Sequence, residues 1–155
     1  MRTHETKRWA VLTLVGAGLL VLAGCGGERY VAVTSFSGNA EVPPVTTGAQ
    51  GTVTATLEGN TLTINGAFSG LQSDLHTVEG SAAHIHNGAM GTNGPIVFNL
   101  DVTTTDRRSG SLSGSKELTK EEQEAFKLQR FYVNVHTMNN QSGEIRGQFQ
   151  PTKDE

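Results

Sequence analysis

The sequence predicts an all-β fold, a two-sheet sandwich or a closed barrel, and three observations carry that expectation. Apolar residues recur with period two almost everywhere past residue 29, the pattern of strands that hide one face and wet the other. Glycines number 19 and charged residues make up only 17% of 155, a balance that favours short strands and turns over helical bundles and coiled coils. About eight such segments fit into roughly 120 residues, the density of a sandwich.

Taken in order, Tyr30–Phe36 and Gly51–Leu57 alternate cleanly, and Thr61–Ile64 resumes the pattern after the turn residues Gly59-Asn60, which predicts a hairpin. Ala82–His86, Ile96–Val102, Gly110–Ser113, Arg130–His136 and Glu144–Phe149 follow as strands, separated by Gly, Asn and Ser. Thr119–Phe126 breaks the period: Thr119 can cap a helix, and Glu122, three residues on, completes a capping box. One short helix is expected there, with Phe126 fixing it to the end of the sandwich.

The first 24 residues read as an export signal rather than as part of the fold. Arg2, Lys7 and Arg8 form a basic start, Trp9–Leu22 an apolar run, and Ala23 and Gly24 a small-residue site. The run is shorter than the roughly 20 residues that span a bilayer. Leu22-Ala23-Gly24-Cys25 resembles the bacterial lipoprotein signal, which implies that Cys25, the single cysteine of the chain, is acylated on sulfur and becomes the new N-terminus. Several acyl chains give stable membrane attachment where one alone is marginal. Residues 25–35 are then the lipidated N-terminus and first strand. The domain is expected outside the cytoplasm, lipid-anchored to the bacterial cell envelope at the outer membrane or cell surface, facing the periplasm or exterior.

One cysteine also excludes an intrachain disulfide and Cys-based zinc or redox motifs, so a metal would be held by His and carboxylates. Cleavage removes Arg2, Lys7, Arg8 and Glu5 from 12 basic and 15 acidic residues and leaves an excess of five acidic charges. With no cluster of Lys or Arg in the body of the chain, nucleic acid is not an expected partner.

The residues with chemical content are the histidines. His84 and His86 flank Ile85, and on a strand such a pair shares one face, where two imidazoles can converge on a cation. His136 lies on the polar face of Tyr132-Val133-Asn134-Val135-His136, opposite Phe131, Val133 and Val135, and supplies a third ligand. Matching the apolar faces of the last hairpin sets Val135 against Ile145, Val133 against Gly147 and Phe131 against Phe149. On the other face His136 then opposes Glu144, and Asn134 opposes Arg146. Glu144 becomes a fourth ligand or an acceptor that fixes the imidazole tautomer, with Arg146 holding its carboxylate and Asn134 in the same supporting strip. An ordinary cross-strand charged pair is the other reading of Glu144 and Arg146. His76, in Ser73-Asp74-Leu75-His76, reads as an exposed loop histidine outside the ligand set. No nucleophile elbow, phosphate-cradling loop or defined carboxylate pair supports hydrolase or nucleotide chemistry, and no catalytic residue is assigned.

Three motifs in order resemble the CHRD domain, the module first described in the developmental protein chordin and found also in many bacterial exported proteins. They are Phe36-Ser37-Gly38-Asn39-Ala40-Glu41-Val42-Pro43-Pro44-Val45, then Ala83-His84-Ile85-His86-Asn87-Gly88 with Gly91-Thr92-Asn93-Gly94-Pro95-Ile96-Val97, and finally Tyr132-Val133-Asn134-Val135-His136-Thr137 running on to Gly143-Glu144-Ile145-Arg146-Gly147-Gln148. The resemblance implies an immunoglobulin-like antiparallel β-sandwich over residues 36–150. In Asn139-Asn140-Gln141-Ser142 the chain lacks the Pro that the family commonly places before its Gly. A looser similarity links the pattern to copper/zinc superoxide dismutase, a sandwich with a His-x-His strand and another His near the chain's end. The dismutase's disulfide cysteines and His-rich zinc loop are missing here, so that activity does not carry over.

Three functions remain open on the sequence. The chain binds copper or zinc, or less suitably manganese, which prefers more oxygen ligands, through His84, His86 and His136 with help from Glu144. Alternatively it is a redox enzyme that uses such a metal on peroxide or superoxide. In the third reading the histidines are structural and loops such as Asn87–Gly94 engage a protein or polysaccharide.

Overall fold

The computed structural model describes residues 27–154, so the expected signal segment and Cys25 lie outside the described residues. Strands β1 (Arg29–Phe36), β2 (Gln50–Glu58), β3 (Thr61–Ser69), β4 (Ala83–Asn87), β5 (Ile96–Asn99), β6 (Asp101–Thr104) and β7 (Gly110–Glu117) lead into helix α1 (Lys120–Lys127), and β8 (Phe131–Val135), β9 (Ile145–Gln148) and β10 (Thr152–Lys153) complete the chain. They form a six-stranded sheet in the order β10-β1-β2-β3-β7-β6 and a four-stranded sheet in the order β5-β4-β8-β9. Neighbouring strands are antiparallel throughout. Val53, Ala55, Leu57, Leu62, Ile64 and Leu112 from the large sheet meet Ile85, Phe131, Val133, Val135 and Ile145 from the small one in a single core, which gives the all-β sandwich the alternation predicts.

Among the strands that differ from the expected spans, β7 runs on from Ser113 to Glu117 beside β3, and two others differ for identifiable reasons. Residues 96–102 are not one strand: Leu100 turns into the core at 2% exposure, and its N–H donates to Ala83 O at 3.0 Å. The chain therefore leaves β4 and joins β7, switching sheets at that corner. Strand β3 continues past Ile64 to Ser69, because Asn65 and Gly66 pair with β2 on one side and β7 on the other instead of turning.

The last hairpin has the register demanded by its apolar faces, with Val135 opposite Ile145, Val133 opposite Gly147 and Asn134 opposite Arg146. The helix starts as its sequence requires: the Thr119 side chain accepts from Glu122 N–H while the Glu122 carboxylate accepts from Thr119 N–H. Phe126, fully buried, packs edge-on against Phe131 at 5.9 Å and tilted against Phe149 at 6.1 Å. Thr119→Ala is expected to cost about 1 kcal/mol, seen as a lower urea midpoint with an unchanged slope.

The outer face of the small sheet departs furthest from expectation. It is not wetted. His84, His86, Tyr132, Asn134, His136, Glu144, Arg146 and Gln148 are all buried, because the loops after β1, β3, β4 and β8 fold over them. Carbonyls of Val78, Gly94, Thr92 and Gln141 close down on these side chains as hydrogen-bond acceptors. A buried polar layer of this kind is tolerated only when its groups are paired.

Candidate metal centre

Strand pairing alone brings the three histidines together. His84 and His86 lie on β4, with Asn134 and Tyr132 of β8 as their direct neighbours, and His136 follows β8 by one residue. One ring nitrogen from each of His84, His86 and His136 lies within 4.8 Å of the other two. The rings are 0%, 8% and 4% exposed respectively. Burial pushes all three below the usual histidine range, and the neighbouring rings push His86 and His136 further, His136 to about 4. The cluster is therefore uncharged at neutral pH.

Each outward nitrogen meets a backbone carbonyl from a different loop. His84 Nε2 lies 2.9 Å from Val78 O, His86 Nδ1 2.9 Å from Gly94 O, and His136 Nδ1 2.9 Å from Gln141 O. A carbonyl only accepts, so the ring nitrogen facing it carries the proton and the inward nitrogen of each neutral ring is bare. His84 Nδ1 and His136 Nε2 consequently face each other as two lone pairs at 2.8 Å. His86 Nε2 has no hydrogen-bond partner at all. Three inward lone pairs, each fixed by a carbonyl behind it, form a group that could hold a metal ion.

Around this trio the structure redistributes the roles expected from pairing. Glu144 does sit beside His136 in the ladder, its N–H bonding Val135 O at 2.8 Å. Its carboxylate, however, is not among the converging ligand atoms. One oxygen accepts from Thr47 Oγ1 at 2.7 Å and Gln72 N–H at 2.9 Å, the other from Thr137 Oγ1 at 2.8 Å. Glu144 thus ties three loop segments together, and its capacity is used there rather than on a cation. Nor does Arg146 hold that carboxylate. Its guanidinium donates to Thr92 O at 3.0 Å and Gln148 Oε1 at 2.8 Å, and lies 3.4 Å over the Tyr132 ring. Tyr132 in turn stacks on His86, with centroids 4.8 Å apart and planes 6° from parallel. Arg146 therefore acts through Tyr132 and the loop after β4, whose Gly94 carbonyl accepts a hydrogen bond from His86 Nδ1–H.

Two further residues join the site that pairing logic does not reach. His76 is beside His136: its N–H donates to His136 O at 3.0 Å, and its ring helps hold the His136 pKa down. Glu41, which the sequence marks only as part of the first family motif, is 4% exposed, and its Oε1 has no partner. Burial pushes its carboxyl up to about 7 against the opposing pull of the Arg146 charge. Gly143, at φ +134°, makes room for it: a methyl group there would collide with the Glu41 carboxyl and press on Asn134 Nδ2. A single acid flanked by Ala40 and Val42 ahead of two prolines is the available signal, since such a carboxyl is either solvent-facing or buried with purpose.

A family model for the CHRD domain matches residues 32–149. A search of the curated proteins and of the solved structures found no match.

Proposed function

From the premise that the chain belongs to the CHRD-domain family, we propose that its function is to bind one transition-metal ion, zinc or copper, through His84, His86 and His136. The observation that carries this reading is the fixed set of three inward lone pairs, two of them facing each other at 2.8 Å. Bare nitrogens in contact repel, and a cation between them removes the repulsion while leaving every outward carbonyl bond intact. Separations from 2.8 Å up to at most 4.8 Å bracket the about 3.3 Å between nitrogens on a tetrahedral ion with bonds near 2.05 Å. All-nitrogen donation favours zinc or copper over manganese. Low exposure of the three rings supports a held ion rather than turnover of a bulky substrate. The same reading places the domain outside the cytoplasm, anchored through acylated Cys25, on the strength of Leu22-Ala23-Gly24-Cys25 and the absence of any other cysteine in the chain.

The test is metal content and affinity of the chain from residue 26 onward, made without a histidine tag and compared with the His84→Ala/His86→Ala/His136→Ala variant. Wild type is expected to hold close to one equivalent of zinc or copper, and the folded variant none. Equal binding by both proteins, or none at micromolar metal, would make the histidines structural.

A further inference from the structure

Three histidines leave a four-coordinate ion one donor short, and Asn134 is the polar residue beside them on the same sheet face. It is the direct partner of His84 across β4 and β8, shares a face with His136 two residues on, and has its amide within side-chain reach of the His86 ring, though no pair there meets hydrogen-bond geometry. It is 3% exposed. Its Nδ2 donates to Ser142 O at 3.2 Å, which fixes the amide with its nitrogen toward the loop after β8. Oδ1 is left without any donor.

Buried amide oxygens without a partner are rare and need a reason. The histidines cannot serve it: His84, His86 and His136 each keep the ring proton on the outward nitrogen, facing a loop carbonyl, so their inward nitrogens are acceptors too. No rearrangement of protons satisfies all four acceptors while the outward bonds persist. A cation does.

Taking the metal reading above as its basis, we propose that Asn134 Oδ1 is the fourth donor, closing a three-nitrogen, one-oxygen site around the ion. Four protein donors make a closed site of the structural kind, without the open position that a hydrolytic or redox centre keeps. The mixed set and its compact shape suit tetrahedral zinc better than the tetragonal preference of copper(II).

Cobalt(II), a visible reporter for zinc, tests this on the same untagged chain. Wild type is expected to give the intense visible bands of four-coordinate cobalt. Asn134→Leu, similar in size but without a donor, is expected to shift those bands and to weaken cobalt and zinc binding at least about tenfold. Asn134→Asp keeps an oxygen donor and adds charge, so it is expected to keep four-coordinate intensity with displaced band positions and to bind at least as tightly. Wild-type affinity and spectrum in Asn134→Leu would overturn the fourth-donor assignment while leaving the three-histidine site standing. If Asn134→Leu does not fold, an Asn134→Asp spectrum identical to wild type overturns it equally. Failure of the wild type to bind cobalt or zinc removes the metal reading itself, and the fourth donor with it.

Discussion

Gly94→Ala is expected to destabilise the domain by about 3 kcal/mol and, in whatever fraction remains folded, to weaken metal binding between about 10-fold and 100-fold. Gly94 packs flat against the turn it faces: a Cβ there would fall on the carbonyl of Asn87, with the backbone N of Gly88 also within contact range. Neither neighbour can swing away. Asn87 N–H is bonded to Pro95 O at 3.0 Å and Gly88 N–H to Arg130 O at 2.7 Å, so the clash must be relieved by moving Gly94 itself. Gly94 O is the acceptor that fixes the His86 tautomer, and Gly94 N–H donates to Tyr132 Oη at 3.2 Å. Displacement therefore costs packing and also frees the His86 ring to turn its proton inward. Chemical unfolding and zinc titration on the same preparation separate the two effects. Normal zinc affinity in a destabilised but folded Gly94→Ala protein would show that the carbonyl does not orient the imidazole.

Glu41 gives the molecule a second large and measurable response, this time to pH. In the unfolded chain its carboxyl ionises near 4.5, in the folded one near 7. Between those values the folded state keeps a proton that the unfolded state has lost, so stability falls as pH rises from about 4.5 to about 7 and is then level. At about 1.4 kcal/mol per pH unit the full effect is on the order of 3 kcal/mol. His136 runs the other way. Its depressed pKa, about 4 against 6.5, means that stability falls as pH drops through that window. Glu41→Gln removes only the first slope: with chelator present, its stability relative to wild type is expected to climb by up to about 3 kcal/mol between pH 5 and pH 8. A constant difference across that range would mean that Glu41 ionises in the folded protein as it does in water.

Strand alternation by itself makes much of this arrangement legible. Residues 131–135 alternate strictly, so matching apolar faces sets the register of the last hairpin to the residue, and the shared face of His84 and His86 follows from period two alone. What alternation cannot convey is whatever depends on loops folding back from distant sequence. Pairing sets Glu144 beside His136, but Thr47 and Gln72 from distant loops, with Thr137 next to His136, take up its carboxylate. The same holds in part for Arg146, which donates to Thr92 O, Asn93 Oδ1 and Ala89 O of the loop after β4 as well as to Gln148 of its own strand. Polar residues in alternation read as solvent-facing because two-sheet logic supplies only one interior. Here the loops supply a second, and Glu41 and His76 arrive with them. Leu100 is hidden for the opposite reason: an unbroken β-rich run gives no sign that its two halves pair in different sheets.

The course of β1 determines how the molecule would hang from a surface. Arg29 starts the strand opposite Glu58, at the end where Lys127 of the helix approaches Glu28. Seven residues later the chain passes Phe36, and Ser37 then bridges Arg146, which is level with Asn134 and His84. At about 3.3 Å per residue the histidines lie about 25 Å from the point of entry. The lipid tether proposed at Cys25 would join the domain at the helix end, the end opposite the histidines. With such a tether, that distance exceeds the about 10 Å over which surface charge is felt at moderate salt, and ions would reach the site at their bulk concentration, unaffected by lipid headgroups.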